Sequence, residues 1–451
     1  MALSTTEFEI NSVNFTSERL VRPGIELKQV VTDIDIYEDL RKPYLTADLV
    51  LLDDSNFISG ADIIGGEKIT ISLTSSRSRS RTITKTFYIH KITTQNRLNE
   101  HSQVVVLHLV EDCYYISSLY NINRFYEGKG SEIVEKVVNE FLDKELVYDN
   151  NETQKLKLIV PNLNPLETGE WIKNNITTDD GYPYYFYSTF VGNKLALKDL
   201  KTLLTEQPIN FSGTGHQHFV WNSMNHGSMN PAIERKIIKN YKIVPGDDLN
   251  ELIDNGLIGS KFSYLNTSLE PLKDKITFDY DIIKDLLKPA LGSVLNGNNK
   301  NPGYSPKFKH NGKPFHEIQS RHITLMGGSN PYRVTKLPDD KEEMPQFPLT
   351  LGEGYDEATY KQYVTSICAD NLILKSPINI TVNGYDFIDG DKHSTIGNQI
   401  ICKFLKSDPS DNNINKPDKK LSGDYLIYRA RHIIKRQAYD ISLNMVKMGN
   451  Q

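Results

Sequence analysis

Near its N-terminus the chain reads ITKTFYIHKITTQNRLNEHSQVVVLHLVE, and near its C-terminus LSGDYLIYRARHIIKRQAYDISLNMVKM. Each stretch is an alternating strand, a polar break and a second alternating strand. The likeness extends upstream, where GEKITISL from Gly66 aligns with GNQIICKF from Gly397. Phe87, Ile89 and Ile92 then align with Tyr425, Ile427 and Ala430, and Val105, Leu107 and Leu109 with Ile441, Leu443 and Met445. Length differences fall at the hairpin tips, where added residues cost little loop entropy. Alternation is common to all antiparallel meanders, so the pattern alone also admits two unrelated sheets. The shared order of three strands, with a glycine entering each set at the same place, favours a duplication. Three chains carrying two like β-units each would present six similar units around an axis.

With 451 residues the chain has room for several domains. Its 24 tyrosines and 17 phenylalanines lean toward strands. A net charge of −5 leaves no basic excess with which to grip nucleic acid, although such a surface can border DNA without adhering to it. Cys113, Cys368 and Cys402 have no metal-ligand spacing and are expected to be small buried hydrophobes. MALSTTEFEI lacks the basic and apolar regions of a secretory signal. No apolar run approaches the roughly 18 residues of a membrane span. The expectation is a soluble protein made in a reducing compartment.

Leu45, Ala47, Leu49 and Leu51 alternate with Thr46, Asp48, Val50 and Leu52, the period of a half-buried strand. Ile69, Ile71 and Leu73 alternate next, and SSRSRSR makes a polar hairpin tip. With the strands at Phe87–Ile92 and Val105–Leu109 this predicts a compact antiparallel sandwich or barrel of about 100 residues. The middle of the chain changes character. Ser131 is the expected N-cap of a helix with Glu132 in its first turn, and Ile133, Val134, Val137, Val138, Phe141 and Leu142 repeat at helical spacing. Asn164-Pro165 opens a second helix carrying Trp171 and Ile172. Strands follow at Tyr182–Phe190 and Asn193–Asp199, joined at Gly192, and Asp247 or Asp248 caps a third helix stopped by Gly256. Residues 289–354 are rich in Gly, Asn, Pro and Lys and read as an extended insertion or long loop. A helix is expected over 356–370, and strands from Pro377 to the C-terminus.

Catalytic signatures are sparse. Neither G-x-S-x-G nor G-x-x-x-x-G-K-[ST] occurs. His316 and His322 are six residues apart, whereas a zinc-protease helix needs two histidines four apart on one face. His216, His218 and His226 form the densest histidine cluster, and on a strand the first two would share a face. A metal is conceivable there, but no cysteine or acid lies close by in sequence, and a polar loop or a subunit contact explains the cluster better. Asp179-Asp180 and Asp247-Asp248 fit turns and caps. Arg77, Arg79 and Arg81 alternate at a hairpin tip, and are either a solvated turn or a cationic comb that docks on an acidic partner. The aromatics of GYPYYFYSTF suit core and interface packing better than a carbohydrate platform.

A series of stretches, taken in chain order, resembles the central baseplate hub protein of contractile-tailed phages, a family related to the hub portions of type VI secretion spike proteins. They are DSNFISGADIIGGEKITISL, TFYIHKITTQNRL, NPLETGEWIKNNITTDDGYPYYFYST, DDLNELIDNGLIGSKFSYLN, and IGNQIICKFL with LSGDYLIYRARHIIKR. The resemblance covers most of the chain and departs around residues 290–350 and at the tip Ser407–Lys420. None of these stretches is an active-site signature; the specificity lies in their order. The resemblance implies a β-rich α+β protein with two similar antiparallel β-barrel (tail-tube-like) domains and α+β middle domains. The implied boundaries are 1–112 for the first barrel, 113–206 for an α+β domain, 207–246 for the start of the second barrel, 247–376 for an α+β and insertion region including the loop 290–354, and 377–451 for the rest of the second barrel. It further implies a homotrimer whose pseudo-sixfold ring joins the tail tube to the threefold spike around a DNA channel. The implied partners are the tail tube protein, the spike or tail lysozyme protein and other baseplate proteins, with genomic DNA only passing through and no membrane anchor. The implied location is the tail baseplate of the virion, after synthesis in the host cytoplasm. Neither catalysis nor a cofactor is implied. A metal-dependent hydrolase built on His216 and His218, and a carbohydrate- or receptor-binding tail module built on Tyr182–Phe190, stand as alternatives.

Overall fold

The computed structural model describes residues 8–20, 24–54, 57–75, 82–100, 102–152, 155–209, 218–221, 235–243, 260–266, 309–314, 318, 321–327, 362, 365–367, 369–370, 377–389, 395–405, 417–418, 421–436 and 438–447. The first part of the chain is β1 (Phe8–Thr16), β2 (Gly24–Glu26), β3 (Val31–Asp39), β4 (Thr46–Asp53), the short α1 (Phe57–Ala61), β5 (Lys68–Ser75), β6 (Thr82–Arg97) and β7 (Gln103–Glu111). An α+β segment follows: α2 (Asp112–Ser117), β8 (Phe125–Lys129), α3 (Gly130–Phe141), β9 (Glu145–Tyr148), β10 (Lys155–Ile159), α4 (Pro165–Lys173), β11 (Tyr184–Ser188), β12 (Lys194–Asp199) and α5 (Leu200–Thr205). The remainder supplies β13 (His218–Trp221), β14 (Asn240–Ile243), β15 (Ser260–Asn266), β16 (Lys309–His310), β17 (Lys313–Pro314), β18 (Arg321–Gly327) and β19 (Pro377–Asn383). It ends with α6 (Tyr385–Asp389), β20 (Gln399–Phe404), β21 (Gly423–Lys435) and β22 (Ala438–Lys447).

The two ends of the chain share one topology. β4-α1-β5-β6-β7 and β19-α6-β20-β21-β22 run in the same order. Their pairings match, β5-β6-β7-β4-β3 in one half and β20-β21-β22-β19-β14 in the other. Register matches as well. Ile69 lies opposite Phe87 and Ile400 opposite Tyr425; Ile92 lies opposite Leu107 and Ala430 opposite Leu443. Each long central strand breaks register at an equivalent point, just after Ile89 in β6 and just after Ile427 in β21, and β6 breaks it a second time between Ile92 and Thr94.

The entering glycines are equivalent too. Gly66 has φ +85° and Gly397 φ +74°, a left-handed conformation in which side chains are strained. The Gly66 N–H donates to the Ile89 carbonyl at 3.0 Å, and the Gly397 N–H to the Ile427 carbonyl at 2.9 Å. A Cβ at either site would come within 2.7 Å of a tyrosine hydroxyl, that of Tyr115 in the first half and of Tyr187 in the second.

The expected pair of β-barrels is not formed. Both halves join one open 13-stranded sheet with the path β14-β19-β22-β21-β3-β4-β7-β6-β5-β1-β2, and β13 and β20 branch from β21. A barrel needs its first and last strands to pair. Here the second edge of β3 is taken by β21 of the other half, so the strand order runs on instead of closing. Each half still gathers its own core. Val13, Phe15, Ile34, Ala47, Leu49, Ile71, Phe87 and Leu107 lie in one cluster, and Phe219, Ile380, Ile400, Phe404, Ile427, Leu443 and Met445 in another. A third cluster fills the α+β segment around Val134, Val138, Ile172 and Phe186.

That segment departs from expectation at one cap. α3 begins at Gly130, so Ser131 lies inside its first turn; the Ser131 N–H donates to the carboxylate of Glu152 at 2.8 Å. A remote acid thus satisfies an orphan donor that a local cap was expected to satisfy. α4 follows the sequence closely, with Asn164 and Glu167 forming a reciprocal capping box ahead of Pro165. Within the expected long loop, Lys309–His310 and Lys313–Pro314 pair as a small hairpin, and β18 pairs in parallel with β15. Apart from residues 309–314, 318 and 321–327, residues 289–354 lie outside the described residues, as does the helix expected after Asp247-Asp248.

Candidate assembly interface

Three buried polar junctions hold the elements in place. The first centres on Glu111 at the end of β7. Its Oε1 accepts from Lys144 Nζ at 2.7 Å and lies 3.3 Å from Lys85 Nζ; its Oε2 accepts from the Leu45 N–H at 2.9 Å and from Ser188 Oγ at 2.7 Å. Burial pushes its pKa up, but the two ammonium groups outweigh that and hold it down at about 2. One carboxylate therefore ties β4, β6 and β7 to the α+β segment. Glu111, Asp112 and Cys113 bring three potential metal-ligand atoms within 4.8 Å of one another. They do not suit a cation, because two lysines already occupy the carboxylate and burial pushes the Cys113 thiol up, away from the thiolate.

The second junction joins the halves. Glu38 on β3 accepts a hydrogen bond from the Phe190 N–H and sits 3.2 Å from His432 Nε2 on β21, while His432 Nδ1 lies 2.7 Å from the Tyr439 hydroxyl. All these polar atoms find partners if the tyrosine donates to Nδ1 and Nε2–H donates to Glu38. Above it, the strand join carries a line of ion pairs: Arg429–Asp39 at 2.7 Å, Arg431–Asp35 at 2.8 Å and Lys435–Asp33 at 3.5 Å. Half-exposed pairs add little stability each, but their alternation specifies register. These residues were not singled out from the sequence. The signal was present as acids alternating in VTDIDIYED and bases in YRARHIIK. The third junction is the buried ion pair of Lys236 with Asp386 on α6, at 2.7 Å.

Besides the short end strand β2, which pairs only with β1, the sheet leaves two longer edges open among the described residues. β6 pairs with β5 only through Tyr88, so from His90 to Arg97 it has β7 on one side alone. β14 pairs with β19 on one side alone.

The sequence-predicted sites fall as follows. Arg77, Arg79 and Arg81 lie outside the described residues, as do His216, His226, His316 and Cys368. His218 begins β13. Cys113 and Cys402 are buried, as expected. Tyr182, Tyr184, Tyr185, Phe186, Tyr187 and Phe190 are buried, so these rings are core and offer no platform to a glycan. In a cleft beside Arg41 and Tyr185, three of the polar groups engage one another: Arg41 pairs with Asp370 at 2.9 Å, and the Tyr185 hydroxyl donates to Asp370 at 2.7 Å. Among the described residues, no helix is long and apolar enough to cross a membrane.

No protein-family model matches the sequence, and no curated protein matches it. Among solved structures, the fold is similar to that of a tail protein from Neisseria meningitidis MC58, with a TM-score of 0.50 at 11% identity over 97% of this chain and 96% of that one. A 43 kDa tail protein of prophage MuSo2 from Shewanella oneidensis aligns at TM-score 0.48 and 10% identity, over 97% of each chain. The E. coli c3393 protein, a type VI secretion component, aligns at TM-score 0.39 and 9% identity, over 97% of this chain and 78% of that one. The first of these likenesses establishes a shared fold along nearly the whole chain.

Proposed function

We propose that this chain is a structural subunit of a phage-type tail, a homotrimeric baseplate hub rather than an enzyme. Three chains with two like β-units each make a pseudo-sixfold ring, which adapts a sixfold tail tube above to a threefold spike below. The observation that carries this reading is the element-by-element equivalence of the two halves, down to the glycines at 66 and 397 and the shared register break. The fold shared with the Neisseria tail protein supports the tail setting. A net charge of −5 suits a channel through which DNA passes without adhering. In the same reading Arg77, Arg79 and Arg81 dock on an acidic tube, spike or baseplate neighbour, the chain divides near residues 112, 206, 246 and 376, and the protein resides in the virion baseplate.

Mass measurement by light scattering at micromolar concentration tests the proposal. The expected result is a species of three times the 51.4 kDa chain mass. A stable monomer that also fails to bind tube and spike proteins would sink it.

A further inference from the structure

Resting on the hub reading and deepening it, we infer how neighbouring copies join. β14 of one copy adds antiparallel to the open edge of β6 in the next, with Ile243 opposite Gln95 and Lys242 opposite Asn96. The inference comes from the internal repeat. Inside the chain, the edge of β21 beyond its register break is filled by β3, with His432 opposite Ile36 and Ile433 opposite Asp35. β6 is the counterpart of β21, and among the described residues its corresponding edge is open. β14 is the counterpart of β3, and among the described residues its corresponding edge is open too. One chain thus contains a completed join and the two unmated halves of a second one.

The register follows from equivalence. In the first half Ile36 pairs with Ala47, and Ala47 with Leu109. In the second, Ile243 pairs with Ile378, and Ile378 with Met445. Since Leu109 and Met445 correspond, Ile243 stands where Ile36 stands, and Lys242 where Asp35 stands. On the receiving strand, Gln95 pairs with Val105 as His432 pairs with Ile441, and Asn96 pairs with Val104 as Ile433 pairs with Asp440. Ile243 therefore meets Gln95. The join also draws in Leu98 and Ile243, which are 60% and 50% exposed in the single chain. An unmated donor strand and an unmated acceptor edge on one molecule make a heterologous contact, which gives a ring when its rotation closes. Repeating the internal relation three times gives six joins, three within chains and three between them. Closure also covers the β6 and β14 edges, which otherwise invite aggregation.

The test is disulfide trapping in the full chain. Directly opposed residues on one face bring Cβ atoms within bonding range, whereas a slip of one residue sends them to opposite faces. Ile243→Cys with Gln95→Cys, and separately Lys242→Cys with Asn96→Cys, are expected to give covalent dimers and trimers on a non-reducing gel. The slipped pair Ile243→Cys with Asn96→Cys is expected to give at least tenfold less, and the parent chain sets the background from native cysteines. A trimer by mass in which neither opposed pair links would overturn the strand join while leaving the hub reading intact. A monomer without links that also fails to bind tube and spike proteins would overturn both, a monomer without links that binds them would overturn the strand join alone, and ladders extending beyond trimer would overturn ring closure.

Discussion

Glu111→Gln is expected to destabilise the fold by about 3–5 kcal/mol, the usual consequence of removing one partner from a buried ion pair. Glu111 is 1% exposed, and Lys85 and Lys144 are 3% and 2% exposed. Amide replacement keeps the shape but leaves two buried ammonium groups facing a neutral side chain. Lys144 retains Asp112 at 3.0 Å, so most of the loss falls on Lys85. Chemical denaturation of parent and variant at pH 7 measures the difference. The pH dependence has a definite sign. The folded-state pKa of Glu111 is depressed to about 2 from its ordinary 4.5. Its contribution is therefore complete above about pH 4.5 and is lost as pH falls toward 2. The gap between parent and variant is expected to narrow over that window; a gap that is constant with pH would show that the carboxylate charge is not the cause. Glu111→Leu with Lys85→Met and Lys144→Met, which removes all three charges, is expected to recover part of the loss.

Leu107→Asp and Leu443→Asp are expected to prevent folding outright. The two leucines are equivalent across the repeat, each is fully buried, and each sits centrally in its own half's core. Each substitution places an unpaired charge in an apolar cluster, and a protein stable by about 5–15 kcal/mol cannot absorb that. Soluble yield and near-UV circular dichroism read the outcome. A cooperatively folded, assembling variant at either position would remove that residue from the core.

Much of the site's framework was legible in the sequence because strand alternation and turn chemistry are local. The correspondence of Ile92 with Ala430, and of Leu107 with Leu443, needed nothing beyond period-two patterning and a glycine landmark. The capping box at Asn164 and Glu167 was legible for the same reason, since both partners lie within one turn. The cap of α3 was not: its acceptor, Glu152, arrives from 21 residues away. The aromatic run at Tyr182–Phe190 was expected in core or interface packing, and its burial places it in the core.

By itself, then, the sequence determined the strand order at each end, with an α+β segment between, and which residues of each strand face inward, and it favoured one β-unit held twice. Only the tertiary structure decided that the units merge into a single open sheet instead of closing as barrels. The physical reason is that alternation specifies which face of a strand is buried but carries no information about which neighbour takes its edge. That choice rests on contacts between residues nearly 400 apart, such as Arg429 with Asp39 and His432 with Glu38, and on the single edge of β3 that β21 claims.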